Sequence, residues 1–508
     1  MAQKERVTTR LSGWDQVAMR GYMSKALCFP FDNAQMDAAI KHIVASLARM
    51  AQQRPDFAGT LEVRDGGIIH HISGHNNTIP FFFEDISAEF PYKSYAELKA
   101  AEFPPGAFVH PRFFQPCALA EGQPGVPVLI VKAFTIPGGL FLATYFSHAF
   151  ADGDCLRIFL ETFSRQTRGL AFDGASTKNL NAPFANESNV KDKDGSRLQE
   201  LLEKVTEYMV LDEPVGPTTP KFRPGGVPMT DITKIGKVFV FDNARLNQLR
   251  CSIFGSNEAA MANGNENGNT RGCLSGNSNK STNGLALSPS NMPSNYTCLA
   301  GLTWAHISKA RLADSAQYMP HCPETDKMAL LQTMVNWKSR ALCEANPTYF
   351  GNATAIAVTR LSTTDSILSR ASSSPSDLAK LVSTIEKTIA GVDDDFVCDR
   401  TELFARVPDP RLVGLRFDPR TPQDLGFNTW RFFGMDTKWS IPGVHGGTDS
   451  ECDMIRRLQA MWNMSGALIL PAKATSTTHE LLVTLPKTSM DLLCRDPEWM
   501  KWVDRVVG

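Results

Sequence analysis

The sequence predicts an α/β protein of two domains. Three observations carry that prediction: its length, a helix-period segment followed by strand-period ones near the start, and two long polar stretches that interrupt the apolar pattern. At 508 residues the chain exceeds what one ordinary hydrophobic core serves, so two units of roughly 200 residues each, plus insertions, are expected. The composition, 43% hydrophobic and 21% charged, is that of a globular protein with ample apolar surface to bury. Lysine and arginine number 52 against 53 aspartate and glutamate, a formal net charge of −1. That balance favours neither nucleic acid nor an anionic membrane as a partner.

Each element follows from local pattern. Residues 33–53 place Ile40, Ile43, Val44, Leu47 and Met50 at helical spacing, and Arg54-Pro55 closes the run. Gly59 to Ser73 alternates and carries Asp65-Gly66-Gly67, which is hairpin chemistry. Residues 126–134 and 140–146 are β-rich, and Pro137-Gly138-Gly139 joins them as an antiparallel pair. After Gly153, Leu156, Phe159, Leu160 and Phe163 share one helical face, and Gly169 is a plausible stop. Residues 171–200 are polar and read as a crossover, giving an N-terminal domain over 1–175, a linker over 176–225 and a C-terminal domain over 226–508. Within the last, the Asn/Gly/Ser-rich stretch 255–295 reads as a disordered loop between a strand at 238–241 and a helix at 297–311.

Several function classes drop out. The first residues contain no apolar stretch of signal-peptide length, and no run approaches the 18 or so apolar residues of a membrane span, so a soluble, cytoplasmic protein is expected. Eleven cysteines form no CxxC pair, and a reduced, mostly buried set of thiols is expected. No metal-ligand cluster, phosphate-binding loop or G-x-S-x-G elbow occurs, so neither a metal nor a bound cofactor is implied. Asp393-Asp394-Asp395 reads as a solvated loop.

One segment carries chemistry. In Phe146-Ser147-His148-Ala149-Phe150-Ala151-Asp152-Gly153, the histidine falls in a loop between a strand and a helix, where rigid elements on both sides can hold a reactive side chain. A histidine at a strand end is commonly a satisfied core residue. Its chemistry as a general base is equally coherent, because imidazole can take a proton from an attacking hydroxyl or amine. Asp152 stands where a carboxylate caps a helix.

His148-x-x-x-Asp152-Gly153 and the helix after it resemble the motif of the BAHD acyltransferases, which transfer acyl groups from coenzyme A thioesters. Further segments resemble the family in order: Leu11-Ser12-x-x-Asp15, RPDFAGTLEV, CLAGLTWAHISKAR, Val335 to Arg340 for "VNxRxR", and Tyr349-Phe350-Gly351-Asn352 for "YFGN". Asn428-Thr429-Trp430 and Asp436-Thr437-Lys438-Trp439-Ser440 stand in place of "SSW" and "DFGWG". The likeness runs from about residue 11 to 503, closest in style to fungal trichothecene acetyltransferase-like members.

The resemblance implies two similar mixed-sheet domains of the chloramphenicol-acetyltransferase kind, joined by a crossover, with a channel between them. It also implies a monomer that uses an acyl-coenzyme A co-substrate, acetyl-coenzyme A first among candidates, and a small hydrophobic acceptor bearing a hydroxyl or amine. His148 would be the general base. Asp152 would be structural, paired to a basic residue for which Lys338 and Arg340 are candidates, with Gly153 part of the motif. Asn428, Thr429 and Trp430 would hold the oxyanion, and Asp436, Lys438 and Trp439 would lie on the cofactor's side. Lys338 for arginine, and Lys438 and Ser440 for two glycines, are departures from the family pattern.

Two alternatives stand beside this reading. A condensation-domain-like enzyme would share the histidine but draw its acyl group from a carrier protein; Ser147 in place of a second histidine argues against it. The fold could also serve other chemistry or ligand binding, for which the altered Asp436 to Ser440 segment is the only support.

Overall fold

The computed structural model describes residues 7–72, 78–117, 119–171, 195–214, 233–263, 292–314, 328–341, 349–363, 365, 367–418, 421–462 and 466–508. In chain order, its principal elements begin with β1 (Tyr22–Pro30), α1 (Met36–Gln53), β2 (Phe81–Asp85), β3 (Leu129–Ile136), β4 (Gly139–Ser147) and α2 (Gly153–Thr167). There follow α3 (Ser196–Lys204), β5 (Lys234–Asp242), α4 (Asn295–Ala313), β6 (Met328–Asn336), β7 (Thr354–Ser362) and α5 (Asp394–Arg406). The chain closes with β8 (Leu425–Thr429), β9 (Met454–Arg457), β10 (Gly466–Ile469), β11 (Thr478–Pro486) and β12 (Arg505–Val507).

Two mixed sheets organise these strands. One has five strands in the order β9-β1-β4-β3-β2, the other seven in the order β7-β6-β8-β10-β11-β5-β12. The edge strand β9 comes from the C-terminal part yet pairs with β1, Arg457 facing Lys25 across the register. The two halves of the chain are therefore laced together rather than merely adjacent.

The elements expected from periodicity form for the expected reasons. In α1, Ile43, Leu47 and Met50 are buried, whereas Val44 is 46% exposed, one position round the helix from the apolar stripe. The hairpin at Asp65 forms between Thr60–Arg64 and Gly67–Ile72, and Asp65 and Gly66 both adopt positive φ (51° and 73°), as the tight mirror-image turn requires. β3 and β4 pair antiparallel, and helix α2 buries Leu156, Phe159, Leu160 and Phe163.

Three expectations change. A helix, Asn243–Asn263, runs through the first nine residues of the stretch read as a loop from 255. Glu258, Ala259, Ala260, Met261 and Ala262 are good helix formers and outweigh the polar composition around them. Residues 264–291 of that stretch lie outside the described residues. Asp393 is the cap of α5, accepting from the Phe396 amide at 2.9 Å, with Asp394 and Asp395 in the positive first turn. Within the stretch read as a linker, residues 195–214 are folded: Arg197 binds Glu402, Lys204 binds Asp399, and Tyr208–Val210 pairs with Val413–Leu415.

Candidate active site

β4 delivers His148. The strand is buried along its length and ends at Ser147, after which the His148 amide donates to the Gly21 carbonyl at 2.8 Å. The backbone is thus fixed on both sides of the ring, since Asp152 starts α2 four residues later.

The ring is oriented by a residue remote in sequence. His148 Nδ1 lies 3.2 Å from Asn352 Oδ1. The Asn352 amide nitrogen donates to Asp15 Oδ1 and to the His148 carbonyl, both at 2.8 Å. Both partners can only accept, so the amide orientation follows from the network, and Oδ1 is the atom that faces the ring. Nδ1 must then carry the proton and donate, leaving the lone pair on Nε2. Asp15, 1% exposed, also accepts from the Asn352 backbone amide at 2.8 Å and from Ser12 Oγ at 2.9 Å. Ser12 Oγ in turn lies 3.0 Å from the Tyr349 hydroxyl. Three motifs separated by more than a hundred residues thus close into one polar network, and the phenylalanines flanking His148 and Asn352 in sequence, Phe146, Phe150 and Phe350, pack on one another and on Phe57.

Asp152 is held by four hydrogen bonds. One oxygen accepts from the amides of Asp154 and Cys155, both at 3.1 Å, capping α2. The other accepts from the Ala353 amide at 2.9 Å and Thr354 Oγ1 at 3.1 Å, tying the helix start to β7. Of the two expected basic partners, Lys338 stands close enough for the Asp152 charge to raise its pKa, while its direct ion pair is to the neighbouring carboxylate. Lys338 Nζ lies 2.8 Å from Asp154 Oδ2, and Arg340 reaches the Ile389 carbonyl at 3.3 Å. The departure from arginine leaves a single ammonium that hydrogen-bonds Asp154 and stands within the field of Asp152 as well.

Asn428 and Thr429 end β8, and Trp430 opens the turn that follows. The Trp430 amide is used by the Ile469 carbonyl and the Thr429 amide by Asn428 Oδ1. The Thr429 hydroxyl accepts from the Arg431 amide at 3.2 Å, and among the described residues that hydroxyl, the Trp430 indole N–H and the Asn428 amide nitrogen donate to no protein group. The turn packs on the histidine motif: a Cβ on Gly153 would stand 2.4 Å from the Phe433 ring, so glycine is what lets that ring close over the start of α2.

The Asp436 to Ser440 segment is structural in character. The resemblance puts Trp439 toward the cofactor, but its indole is fully buried against Phe29 and Phe163 and donates to Thr437 Oγ1 at 2.9 Å, so it presents no surface to a ligand. Asp436 is exposed and accepts from the Ala474 amide, and Lys438 is exposed. Among the described residues none of the three hydrogen-bonds to the histidine network; Trp439 shares its buried apolar cluster with Phe146 and Phe150 but only as packing.

The sequence matches the Transferase family over residues 2–500. The chain belongs to that family. The resemblance read from its motifs is borne out, as is the expected fold. Eremophilane O-acetyltransferase prx11 of Penicillium rubens is 26% identical over 168 residues, which are 32% of this chain and 35% of that protein. The match therefore spans little more than a third of the relative's length. TRI101 of F. sporotrichioides, solved with coenzyme A and T-2, superposes with a TM-score of 0.69 at 17% identity, covering 99% of this chain and all of that one. Vinorine synthase superposes with a TM-score of 0.53 at 16% identity, covering 97% and 93% of the two chains. At these identities the likeness speaks for the two-domain fold of the family. Among the described residues, no helix is long and apolar enough to cross a membrane, and no cluster of ligands could hold a metal.

Asp15 and Asn352 stand inside recognised motifs, but the sequence alone assigns neither a role. Their signal was type and context: an acid and an amide, each beside small or apolar neighbours in a segment whose polar groups need buried partners. Lys25, in the strand Tyr22–Pro30, carries no motif that would mark it.

Proposed function

We propose that the protein is an acyl-coenzyme A-dependent acyltransferase that acylates a hydroxyl or amine of a small hydrophobic secondary metabolite, with His148 as general base. The observation that carries this reading is the Asp15–Asn352–His148 network, which leaves Nε2 with a free lone pair. The relative from Penicillium and the neighbour solved with coenzyme A and T-2 support the same choice of co-substrate and acceptor class. We infer a cytoplasmic enzyme that works as a single chain, the latter supported by the pairing of β9 with β1, with Asp436 and Lys438 on its outer, cofactor side.

In this mechanism the acceptor O–H or N–H donates to Nε2. The base takes the proton as the heteroatom attacks the thioester carbonyl, and the carbon–oxygen double bond opens to an oxyanion. Asn428, Thr429 and Trp430 supply donors for that charge, a role that needs them about 3 Å from the oxygen. Collapse breaks the carbon–sulfur bond, and the imidazolium returns its proton to the departing coenzyme A thiolate. No acyl-enzyme forms. The base contributes typically 10²- to 10⁴-fold.

The test has two stages. Titration with coenzyme A and acetyl-coenzyme A should raise the melting temperature in a saturable way, since a ligand at 100 times its Kd stabilises by about 2.7 kcal/mol. Thiol release is then followed against a panel of terpenoid and polyketide alcohols and amines, with His148→Ala as control. Absence of any shift, or turnover that survives His148→Ala, sinks the reading. Turnover only with an acyl carrier protein would replace it by the condensation-type alternative.

A further inference from the structure

Lys25 is out of place by every local rule. It sits in the middle of β1, on the sheet face that Met23, Leu27 and Phe29 contribute to the apolar core. Its side chain is fully buried, and among the described residues Nζ has no hydrogen-bond partner. A buried ammonium without a partner is among the costliest groups a core can hold.

Each element packed on Lys25 accounts for itself. Across the register on β4 stands Thr144, neutral, with its own hydroxyl buried and unpartnered. Across on β9 stands Arg457, half-buried, its guanidinium pulled down by burial. Facing Lys25 is the turn after β8, whose Arg431 is bound to the Thr478 and Ser476 carbonyls. Burial alone pulls Lys25 down to about 7, with no acid offsetting it. What compensates the charge is aromatic: Nζ lies 5.4 Å from the Trp430 ring centre and 5.1 Å from that of Phe433. Both distances fall within the range of cation–π attraction, which strengthens where water is excluded.

These two rings are the ones that matter for placement. Trp430 opens the turn from the oxyanion side, and Phe433, whose amide is bonded to the Trp430 carbonyl, closes over Gly153 beside Asp152. One side chain therefore joins the sheet that carries His148 to the strand end from the other half of the chain.

We propose that Lys25 is a positioning residue whose ammonium, lodged beneath Trp430 and Phe433, fixes the Asn428–Phe433 turn at the distance from His148 that acyl transfer needs. The proposal rests on the acyl-transfer reading for its catalytic consequence, but the strut itself is a structural claim. An apolar residue at 25 would make the core more stable and leave the turn free to shift; lysine does the reverse.

The full-length protein labelled with 5-fluorotryptophan tests this, with the Trp430 resonance assigned through Trp430→Phe. In the unsubstituted protein that resonance should move between pH 6 and 9 as Lys25 loses its proton, a measurement that needs no variant to fold. Lys25→Met should shift or broaden it and abolish the pH response, and Lys25→Arg, permanently charged, should restore a single sharp line. With acetyl-coenzyme A as probe and water as acceptor, Lys25→Met should lower kcat about tenfold or more at unchanged KM. Lys25→Arg should recover most of kcat and keep it at alkaline pH. A Trp430 resonance indifferent both to pH and to Lys25→Met overturns the strut, as do a loss confined to KM and an Lys25→Arg variant as impaired as Lys25→Met. If the unsubstituted protein neither binds nor turns over acetyl-coenzyme A, the acyl-transfer reading fails while the resonance still decides the strut.

Discussion

Asn352 Oδ1 faces His148 Nδ1 at 3.2 Å because its amide nitrogen is committed to Asp15 and to the His148 carbonyl. The residue thus fixes both the tautomer and the tilt of the ring, and a test of that role follows. In Asn352→Ala the ring can rotate and the proton can move to the other nitrogen. We expect kcat to fall by as much as roughly 10²-fold, the scale of a misplaced reacting group, with KM for the thioester unchanged. Because Asn352 acts through His148, the double variant Asn352→Ala/His148→Ala should be no slower than His148→Ala alone. Thiol release from acetyl-coenzyme A measures all three. Additive losses would mean that Asn352 acts on the reaction independently of the histidine.

Asp152 accepts four hydrogen bonds, two from the first turn of α2 and two from the start of β7. None of them reaches a reacting atom. Asp152→Ala removes a helix cap, costing about 0.5–2 kcal/mol, and orphans the buried Ala353 amide, about 1–3 kcal/mol more. The expected signature is an unfolding free energy, measured in urea, lowered by roughly 1.5–5 kcal/mol. Turnover per folded molecule should fall far less than in His148→Ala. An Asp152→Ala protein of unchanged stability with abolished kcat would place the carboxylate in the chemistry instead.

Gly153 is held to glycine by space rather than by backbone. Its would-be Cβ meets the edge of the Phe433 ring at 2.4 Å. Gly153→Ala must push that ring away, and overpacking of this kind costs typically 1–3 kcal/mol. Phe433→Leu removes the obstruction. In a double-mutant cycle the two substitutions should therefore couple, with Gly153→Ala nearly neutral in the Phe433→Leu background. A loss that is the same in both backgrounds would assign the glycine to a different constraint.

Much of the site was legible because the motif residues lie on short elements with strong local signals. The β-rich runs Leu129–Ile136 and Gly139–Ser147 and the apolar face of Gly153–Thr167 bracket His148 without reference to anything distant. Distant pairing was not legible. Nothing local says that Asn352 meets His148, that Lys338 binds Asp154 while standing in the field of Asp152, or that Met454–Arg457 pairs with Tyr22–Pro30, since periodicity reports which face is buried and not against what. Trp439 shows the converse: an aromatic inside a recognised segment invites a ligand role, and only its packing against Phe29 and Phe163 reveals it as core. The helical residues at 258–262 were hidden by averaging composition over a long window in which asparagine and glycine dominate.

Lys25 gives a prediction about stability whose sign is fixed by burial. Its folded value is drawn down to about 7, whereas in the unfolded chain a lysine titrates near 10.4. Between those limits the unfolded state binds more protons than the native one. Stability contributed by this group therefore rises with pH, by at most about 1.4 kcal/mol per unit. Below pH 7 the full penalty of a buried ammonium applies, and above pH 10 or so it vanishes. Other groups titrate over the same interval, so the quantity to measure is the difference between Lys25→Met and the unsubstituted protein. Urea unfolding at pH 6.5, 8 and 9.5 should show the methionine variant more stable at the lowest pH, with its advantage shrinking at each step. A constant difference would mean that the lysine keeps its proton throughout, as it would with an acidic partner beside it. A difference of opposite sign would mean that the cation stabilises the core outright, so that the two aromatic rings more than offset its loss of water.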